Sequence, residues 1–202
     1  RAEVAASPPK GVRADVRSGV VLRRGGKLTV PVKVTVPEGT EPGRYSVPVR
    51  FDVDGRTIEQ RVEVRAFPRT GGPDLALGAK ATSSGDETPD FPASAVTDGD
   101  MRSRWSSPPQ DDAWVQVELP EAARIGKVVL TWQEAFASGY RVETSPDGRH
   151  WYTAAVVHDG RGGREEVRMD APDTRYIRIQ GVQRGTKFGY SLFSVEAYAV
   201  KE

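Results

Sequence analysis

The segment VVLTWQEAFASGYRVETSPDGRHWYTAA (Val128–Ala155) shows how the larger part of this chain folds. Two of its pieces, VVLTW and GYRVETS, have the β-branched and aromatic content of β-strands, and the loop QEAFA separates them. SPDGRHW then predicts a tight turn centred on Asp147-Gly148, after which Trp151 begins another strand. No helical periodicity interrupts the segment. It therefore predicts consecutive β-strands connected by loops.

The same pattern continues on both sides of this segment. Upstream, AWVQVEL alternates, with Val115, Val117 and Leu119 on one face. Downstream, three more segments are strand-like: EEVRM, RYIRIQGV and FSVEAYAV. Six or more short strands without helices predict an all-β domain, either a sandwich or a jelly roll.

The first 70 or so residues predict a smaller antiparallel sandwich. KLTVPVKVTVP and RYSVPVRFDV alternate, and Asp54-Gly55 predicts a hairpin that leads into RTIEQRVEVRAF. Pro31 and Pro48 fall on polar faces, which predicts that their strands are edge strands or begin at those prolines. The side chains expected to face inward are Leu28, Val30, Val32, Val34, Val36, Tyr45, Val47, Val49, Phe51, Val53, Ile58, Val62 and Val64.

A short linker follows this first sandwich. In FPRTGGPDLALG, Pro68, Gly71-Gly72 and Pro73 interrupt every periodicity. The sequence therefore predicts two domains, residues 1–70 and residues 71–202.

Composition argues against nucleic acid and membranes as partners. The 29 basic and 28 acidic residues nearly cancel, which argues against nucleic acid or an anionic membrane as a partner. No apolar run approaches the roughly 18 residues of a membrane span. The opening RAEVAASPPK has neither a Met nor a signal-peptide core, so we interpret the chain as a mature or excised fragment of a longer, secreted protein.

Residue types also exclude common catalytic arrangements. The chain has no cysteine, and its two histidines, His150 and His158, stand beside turns, so neither a Ser-His-Asp triad nor a histidine metal cluster is available. The glycine-rich GRGGRE (160–165) precedes a strand and opens no helix, so it lacks the setting of a phosphate-binding loop.

Five blocks of the sequence resemble, in order, discoidin domains, which are also called coagulation factor five/eight (F5/8) type C domains. They are LALGAKATSS, FPASAVTDGDMRSRWSS, AWVQVEL, VVLTWQEAFASGYRVETSPDGRHWYTAA and TRYIRIQGVQRGTKFGYSLFSVEAYAV. Bacterial members include the family-thirty-two carbohydrate-binding modules of glycoside hydrolases. The resemblance spans Asp74 to Glu202 and implies a jelly-roll sandwich that binds glycans through loops at one end. VPEGTEPGRYSVPVRF resembles the immunoglobulin-like spacers of secreted bacterial glycosidases.

The loop AVTDGDMRSRWSS is a candidate calcium site. Asp98 and Asp100 flank Gly99, so a turn can direct their oxygen atoms at one point, and Ser103 can add another oxygen. Spacing alone favours a solvated turn over a calcium site, because EF-hand spacing is absent. The resemblance implies a structural calcium held by this loop and by a glutamate and the next carbonyl of the last strand. The implied ligands are Ala95, Asp98, Asp100, Ser103, Glu196 and Ala197.

Four residues in separate loops are candidate glycan ligands. Glycan recognition needs planar polar groups for hydroxyls and an aromatic face for the C–H side of a pyranose. The resemblance to modules of the glucan and chitosan type implies an acid, an arginine, an acid and an aromatic, here Glu87, Arg104, Glu134 and Tyr190. Such modules often carry a tyrosine shortly after the Arg-Trp pair, where this chain has Pro108-Pro109.

The tryptophans are expected mainly in the core. Adjacent strand residues point to opposite faces, so Arg104 and Trp105 should point apart, with Trp105 inward. Trp114 and Trp151 are also expected in the core because large aromatics dominate sandwich interiors. Trp132, which leads into a loop, is left unassigned.

The sequence thus predicts a noncatalytic carbohydrate-binding module behind an immunoglobulin-like spacer, with a β-glucan or chitosan favoured as ligand. The parent catalytic domain in the same chain would be a polysaccharide-degrading enzyme, which the module holds near its substrate. Two alternatives stay open. One is a discoidin-type protein or phospholipid adhesion module, and the other is a glycoside hydrolase fragment with Glu87 and Glu134 as catalytic carboxylates.

Overall fold

The computed structural model describes residues 2–16, 29–37 and 39–201, which fall into two units, Arg1–Phe67 and Pro68–Glu202. The strands of the first unit are β1 (Ala2–Ala6), β2 (Arg13–Val16), β3 (Val32–Thr35), β4 (Gly43–Val53) and β5 (Arg56–Ala66). The second unit contains β6 (Thr70–Gly71), β7 (Lys80–Ser83), the 3₁₀ helix η1 (Ala93–Thr97), β8 (Trp105–Ser106), β9 (Trp114–Trp132), β10 (Ala137–Ser145), β11 (Tyr152–Val157), β12 (Arg164–Arg184) and β13 (Ser191–Val200). The all-β prediction is confirmed. No helix in the described residues has the length and apolar character needed to cross a membrane.

The first unit is built around β4. This strand lies between β1 and β5 in a three-stranded antiparallel sheet, while β2 and β3 pair with each other. Asp54 and Gly55 both adopt positive φ, 47° and 79°, in the hairpin that joins β4 to β5, as predicted. Buried valines of β1 and β4 form its core: Val4, Val47 and Val49. The immunoglobulin-like assignment of this unit stays a prediction.

The two prolines of this unit were predicted to lie in edge strands or at strand starts, and the structure confirms this for only one of them. β3 begins directly after Pro31, as predicted. The prediction for Pro48 is wrong, because β4 starts at Gly43 and runs through Pro48 as the central strand. The missing N–H does no harm there, because the pairing with β1 ends at Val49. The Pro48 carbonyl still accepts a hydrogen bond from the Ser7 N–H.

The inward-facing set of the first unit is only partly confirmed. Ile58 and Val62 are 59 % and 37 % exposed, so their predicted burial is wrong. β5 is an edge strand, and in the described residues the β2–β3 pair approaches the larger sheet at β1, the opposite edge. Among the described residues, little is therefore packed over the side chains of β5. Leu28 lies outside the described residues.

Two long strands build both layers of the second unit. Residues 114–118 of β9 pair with β7 and with residues 176–180 of β12, whereas residues 125–132 of β9 pair with β13 and with residues 164–168 of β12. The register shifts between these halves, so both strands pass from one layer to the other. The first layer has the order β7–β9–β12–β10–β11, and the second has the order β6–β13–β9–β12, with β8 also paired to β13.

A single core fills the space between these layers. Among its fully buried side chains are Trp105, Leu119, Ile125, Leu130, Tyr140, Met169, Ile177 and Leu192. Trp105 is 1 % exposed, as predicted, and Trp132 is also buried. The prediction for Trp114 and Trp151 is wrong: both are half-buried on the outer face of the first layer, where the Arg178 guanidinium carbon lies 4.6 Å and 3.8 Å from their ring centroids.

Candidate functional site

The segment that leads into β8 points Arg104 and Trp105 in different directions. Trp105 enters the core and donates its indole N–H to Asp86 Oδ1 at 3.0 Å. Arg104 stays half-buried at the surface, with its guanidinium carbon 3.9 Å from the centroid of the Phe91 ring. This stacking occupies one face of the guanidinium and leaves its in-plane N–H groups directed sideways.

A cleft of about 430 Å³ opens beside Arg104 at one end of the second unit. All four predicted ligand residues are among those that line it: Glu87, Arg104, Ser106, Ser107, Gln133, Glu134, Ala135, Thr186, Phe188, Gly189, Tyr190 and Ser191. The four predicted ligand residues come from four separate loops or strand ends. The fold thus brings together side chains that are far apart in the sequence, and we call this the cleft below.

Apart from the stacking of Arg104 on Phe91, the charged groups of the cleft have no partner within the described residues. Glu87 and Glu134 are exposed, and neither carboxylate accepts a hydrogen bond from a described residue. The guanidinium of Arg104 likewise forms no ion pair there. Backbone contacts instead fix the chain at these residues, since the Glu87 N–H donates to the Ser106 carbonyl at 2.7 Å. The cleft is therefore a polar surface whose hydrogen-bonding groups are available to a ligand.

Buried serines make the floor of the cleft rigid. The hydroxyls of Ser106 and Ser191 lie 2.9 Å apart, and the Ser191 hydroxyl donates to the Trp105 carbonyl at 3.0 Å. Ser107 accepts a hydrogen bond from the Tyr190 N–H through its hydroxyl at 2.8 Å. Gly189 passes so close to the Ser107 carbonyl that a Cβ there would overlap it. Every one of these hydroxyls serves the protein itself.

Tyr190 does not have the free aromatic face that the sequence analysis expected of it. Its side chain is only 2 % exposed, and its hydroxyl donates to the Asp111 carbonyl at 2.7 Å. The ring packs against Gly181, where any Cβ would overlap it. Burial, and then the negative charge of Asp111, raise the pKa of the Tyr190 hydroxyl to about 12. Tyr190 therefore supports the floor of the cleft, and its expected stacking role is corrected.

Phe188 supplies the aromatic surface that the sequence analysis missed. It is 59 % exposed, lines the cleft and lies two residues before Tyr190. Arg184 holds this loop, because its Nε donates to Asp111 Oδ1 at 2.9 Å and one terminal nitrogen donates to the Lys187 carbonyl at 3.2 Å. No periodic signal in the sequence identifies Phe188, because Phe188 and Tyr190 both precede β13, which begins at Ser191.

The predicted calcium loop is a compact turn. Asp98 accepts hydrogen bonds from the Asp100 N–H at 2.8 Å and from the Ser103 hydroxyl at 2.6 Å, and Gly99 has a φ of 77°. Both carboxylate oxygens of Asp100 accept hydrogen bonds from Arg102, which lowers the pKa of Asp100 to about 2.

The other predicted calcium ligands lie on elements that touch each other. η1, which holds Ala95, packs against β13, which holds Glu196 and Ala197. Glu196 accepts a hydrogen bond from the Tyr198 hydroxyl at 2.6 Å, and the Ala197 carbonyl accepts one from the Leu75 N–H at 2.9 Å. Within residues 2–16, 29–37 and 39–201, no three His, Cys, Asp or Glu side chains converge as a metal site. A bound calcium would therefore depend largely on carbonyl and hydroxyl oxygens.

Solved structures share this fold. Chitosan-binding module 1 of a chitosanase/glucanase from Paenibacillus sp. IK-5 is 35 % identical, with a TM-score of 0.61 over 63 % of this chain and all of the module. Module 2 of the same enzyme, solved in complex with chitotriose, is 27 % identical, with a TM-score of 0.61 over 62 % of this chain and all of that module.

A curated relative places the same region in a large protein. A polysaccharide lyase 8 family protein of Enterococcus faecalis is 30 % identical over 145 residues, which cover 63 % of this chain and 10 % of the lyase. The chain thus spans about a tenth of the length of that relative. The family model described as the F5/8 type C domain matches residues 78–195, more than half of the 202 residues. On this match and the shared fold, the chain belongs to the F5/8 type C, or discoidin, domain family.

Proposed function

We propose that the second unit is a noncatalytic carbohydrate-binding module and that the cleft is its glycan site. The observation that carries this proposal is the convergence of Glu87, Arg104, Glu134 and Phe188 on one cleft in a discoidin domain. The relatives support it, since two are chitosan-binding modules and one is a polysaccharide lyase family protein.

Each of these side chains would make a different kind of contact with a sugar. Arg104 donates in-plane N–H groups to hydroxyls, and its stacking on Phe91 fixes their direction before the ligand arrives. Glu87 and Glu134 accept hydrogen bonds from hydroxyl or ammonium groups. Phe188 offers the ring surface against which the C–H face of a pyranose packs.

Chitosan is the ligand class that the charges favour. The cleft carries two carboxylates and one guanidinium, so its own formal charge is −1. A glucosamine ammonium would be attracted to either glutamate, whereas a neutral β-glucan would gain hydrogen bonds without this attraction. A glucosamine oligomer should therefore bind more tightly than a glucose oligomer of equal length.

The parent protein would use this unit to stay near its substrate. Tethering a catalytic domain to a module that holds the polymer raises the local substrate concentration without any new catalytic group. We place such a protein outside the cell, where polysaccharides are met. We do not propose catalysis by the chain itself, because the role proposed for the glutamates is to accept hydrogen bonds and the relatives with solved structures are chitosan-binding modules. Of the cleft residues, Phe188 is the one exposed large apolar side chain, too little for a phospholipid-anchoring surface.

We also propose that a calcium ion stabilises the second unit through Ala95, Asp98, Ser103, Glu196 and Ala197, with Asp100 contributing beside Arg102. The oxygen-rich turn and its packing against β13 support this. The ion would hold η1 against the sheet, in the same domain as the cleft but through other residues.

Isothermal titration calorimetry with a glucosamine trimer and a β-1,3-linked glucose trimer tests the proposed function. The parent protein should bind the first more tightly, and a reducing-end assay on chitosan and β-glucan should show no release. Glu121→Ala and Arg168→Ala are matched controls, because both residues are exposed and neither lines the cleft. Absence of binding to both trimers and both polymers would refute the ligand class, and reducing-end release would favour the hydrolase alternative.

A further inference from the structure

Glu165 lies outside the cleft lining and makes an unusually large number of hydrogen bonds. It stands near the start of β12, and its carboxylate accepts four hydrogen bonds. Oε2 accepts from the Trp132 indole N–H at 3.0 Å and from the Tyr140 hydroxyl at 2.8 Å. Oε1 accepts from the Arg161 N–H at 2.6 Å and from the Gly162 N–H at 3.2 Å. One carboxylate thus joins two core aromatic side chains to the backbone of the preceding loop.

That loop is the glycine-rich GRGGRE, which the sequence analysis had set aside as unsuited to phosphate. We call Gly160–Gly163 the glycine segment. The Gly163 carbonyl accepts a hydrogen bond from the Trp132 N–H at 2.8 Å, and the Gly160 N–H donates to the Ser138 carbonyl at 2.9 Å. The segment therefore touches the chain on both sides of residues 133–136.

Only glycine fits at two points of this segment. A Cβ at Gly162 would lie 2.9 Å from Phe136 Cγ, and a Cβ at Gly160 would overlap the Ala137 carbonyl. Gly162 also has a φ of 74°, which favours glycine. The missing side chains let the glycine segment pack directly against Phe136 and Ala137.

Residues 133–136 form the loop that carries Glu134 into the cleft. Its other side is fixed to the floor, because the Gln133 N–H donates to the Ser191 carbonyl and the Ser191 N–H donates to the Ala135 carbonyl. The Glu165 carboxylate holds the residue before this loop, and the glycine segment holds the residues after it. Glu134 itself has no described partner to fix its direction.

We propose that Glu165 is a positioning residue for the cleft, acting with the glycine segment to set where the Glu134 loop presents its carboxylate. This inference rests on the proposed function, since it assigns Glu165 a role in glycan affinity. Glu165 does not line the cleft, so it acts through the loop and touches no ligand.

Glu165→Gln tests the proposal with almost no change of shape. The amide nitrogen cannot accept a hydrogen bond, so in either orientation two of the four donors lose their acceptor. Hydrogen exchange should become faster at residues 132–136 and 161–163 and stay slow in β13 at residues 195–199. This readout needs no ligand. Unchanged exchange at residues 132–136 would overturn the positioning role whether or not any glycan binds.

Affinity for the glucosamine trimer is the second readout. Glu165→Gln should weaken binding by no more than Glu134→Ala does, that is by at most roughly tenfold, because Glu165 acts on the ligand only through the Glu134 carboxylate. If it acts through Glu134, the double variant Glu165→Gln/Glu134→Ala should bind no more weakly than Glu134→Ala alone. Additive losses, or an unchanged Kd despite faster exchange, would overturn the inference. If the parent binds no trimer, the proposed function fails and the exchange result stands apart from it.

Glu143→Gln is the matched control. Glu143 is also largely buried, but it pairs with Arg141 and Arg178 on the outer face of the first layer. It should lower stability and leave the trimer Kd and exchange at residues 132–136 unchanged. Tyr140→Phe removes one of the four donors and serves as a milder variant if Glu165→Gln does not fold. Tyr140→Phe should give a smaller increase in hydrogen exchange at residues 132–136 and a smaller loss of trimer affinity. Unchanged exchange at residues 132–136 would count against the proposal.

Discussion

Two arginines in the second unit lie against aromatic rings, and their surroundings differ. Arg104 stacks on Phe91 at the edge of the cleft, and no described residue pairs with its guanidinium. Arg178 lies between Trp114 and Trp151, donates to Gln116 Oε1 at 3.0 Å and has Glu143 Oε2 at 3.9 Å. Burial lowers the pKa of Arg178, and the Glu143 charge partly offsets this.

The comparison shows what separates a binding surface from a structural cluster made of the same residue types. Around Arg178 the two aromatic rings and the acceptor groups already contact the guanidinium, so a ligand would have to displace existing contacts. Around Arg104 the acceptors Glu87 and Glu134 are exposed and unpaired in the described residues. Available hydrogen-bonding capacity, more than composition, is therefore the reason for proposing the cleft as the site.

The largest effect is expected for Arg104→Ala. Losing hydrogen bonds to a charged group costs roughly 1.5 to 3 kcal/mol, so affinity for the glucosamine trimer should fall at least about tenfold. Thermal stability should fall by about 1 kcal/mol or less, because Arg104 has no ion pair within the described residues and the variant loses only the stacking on Phe91. Calorimetric titration and a melting curve measure both quantities. An unchanged Kd would move the site away from the cleft.

Calcium removal should act on stability. A ligand that binds only the native state stabilises it by about 2.7 kcal/mol at 100 times its Kd, so EDTA should lower the Tm by several degrees. Asp98→Asn should remove most of this response, because Asp98 has one of the few carboxylates in the proposed set. Exposed Asp112→Asn is the matched control. A Tm indifferent to EDTA, with no calcium found by elemental analysis, would exclude the ion.

Arg178→Ala should show the converse of Arg104→Ala. The variant exposes the ring faces of two tryptophans. It also removes the ion pair between Glu143 on β10 and Arg178 on β12, and the Glu143 side chain is only 12 % exposed. We expect a loss of about 2 kcal/mol in the free energy of unfolding. The trimer Kd should stay within twofold of the parent. Denaturant unfolding and calorimetry together check the pair of outcomes, and a weakened Kd would mean that the two clusters are coupled.

Much of this fold could be predicted from alternation alone, and its failures have physical causes. Trp114 stands between Ala113 and Val115, both buried, so alternation itself points Trp114 away from the core. The argument from aromatic size led to the wrong face. Ile58 and Val62 were misplaced for another reason, since a strand's own sequence does not tell whether a second layer covers it.

The cleft could be predicted in part. Glu87, Arg104 and Glu134 stand in loops between recognisable strands, and the resemblance pointed to them. Phe188 and Tyr190 are two residues apart, so in extended chain they share a face and periodicity does not distinguish them. What distinguishes them is Gly181, whose missing side chain makes room for the Tyr190 ring. That contact joins β12 to the residue just before β13, so neither segment predicts it from its own sequence.

Variants of these two aromatics test the corrected assignment. Phe188→Ala should weaken trimer binding several-fold with little change in Tm, because the ring is exposed and is the surface proposed to pack against the sugar. Tyr190→Phe removes the hydrogen bond to the Asp111 carbonyl and should cost about 1 kcal/mol of stability with the Kd unchanged. An unchanged Kd for Phe188→Ala would mean that this ring is not the stacking surface, and a weakened Kd for Tyr190→Phe would mean that the Tyr190 hydroxyl takes part in binding.

The salt dependence of trimer affinity should be the smallest of these effects, and it tests the charge of the cleft most directly. Exposed charges are screened over about 10 Å at 0.1 M salt and about 3 Å at 1 M, so the attraction between a glucosamine ammonium and Glu87 or Glu134 should weaken a few-fold as salt rises. A neutral glucose trimer should respond by less than twofold. Glu134→Gln keeps the shape and should reduce the salt response of the glucosamine trimer toward that of the neutral one. Equal salt responses of the two trimers would mean that Arg104 and Phe188 provide the affinity and that the carboxylates do not select an amino sugar.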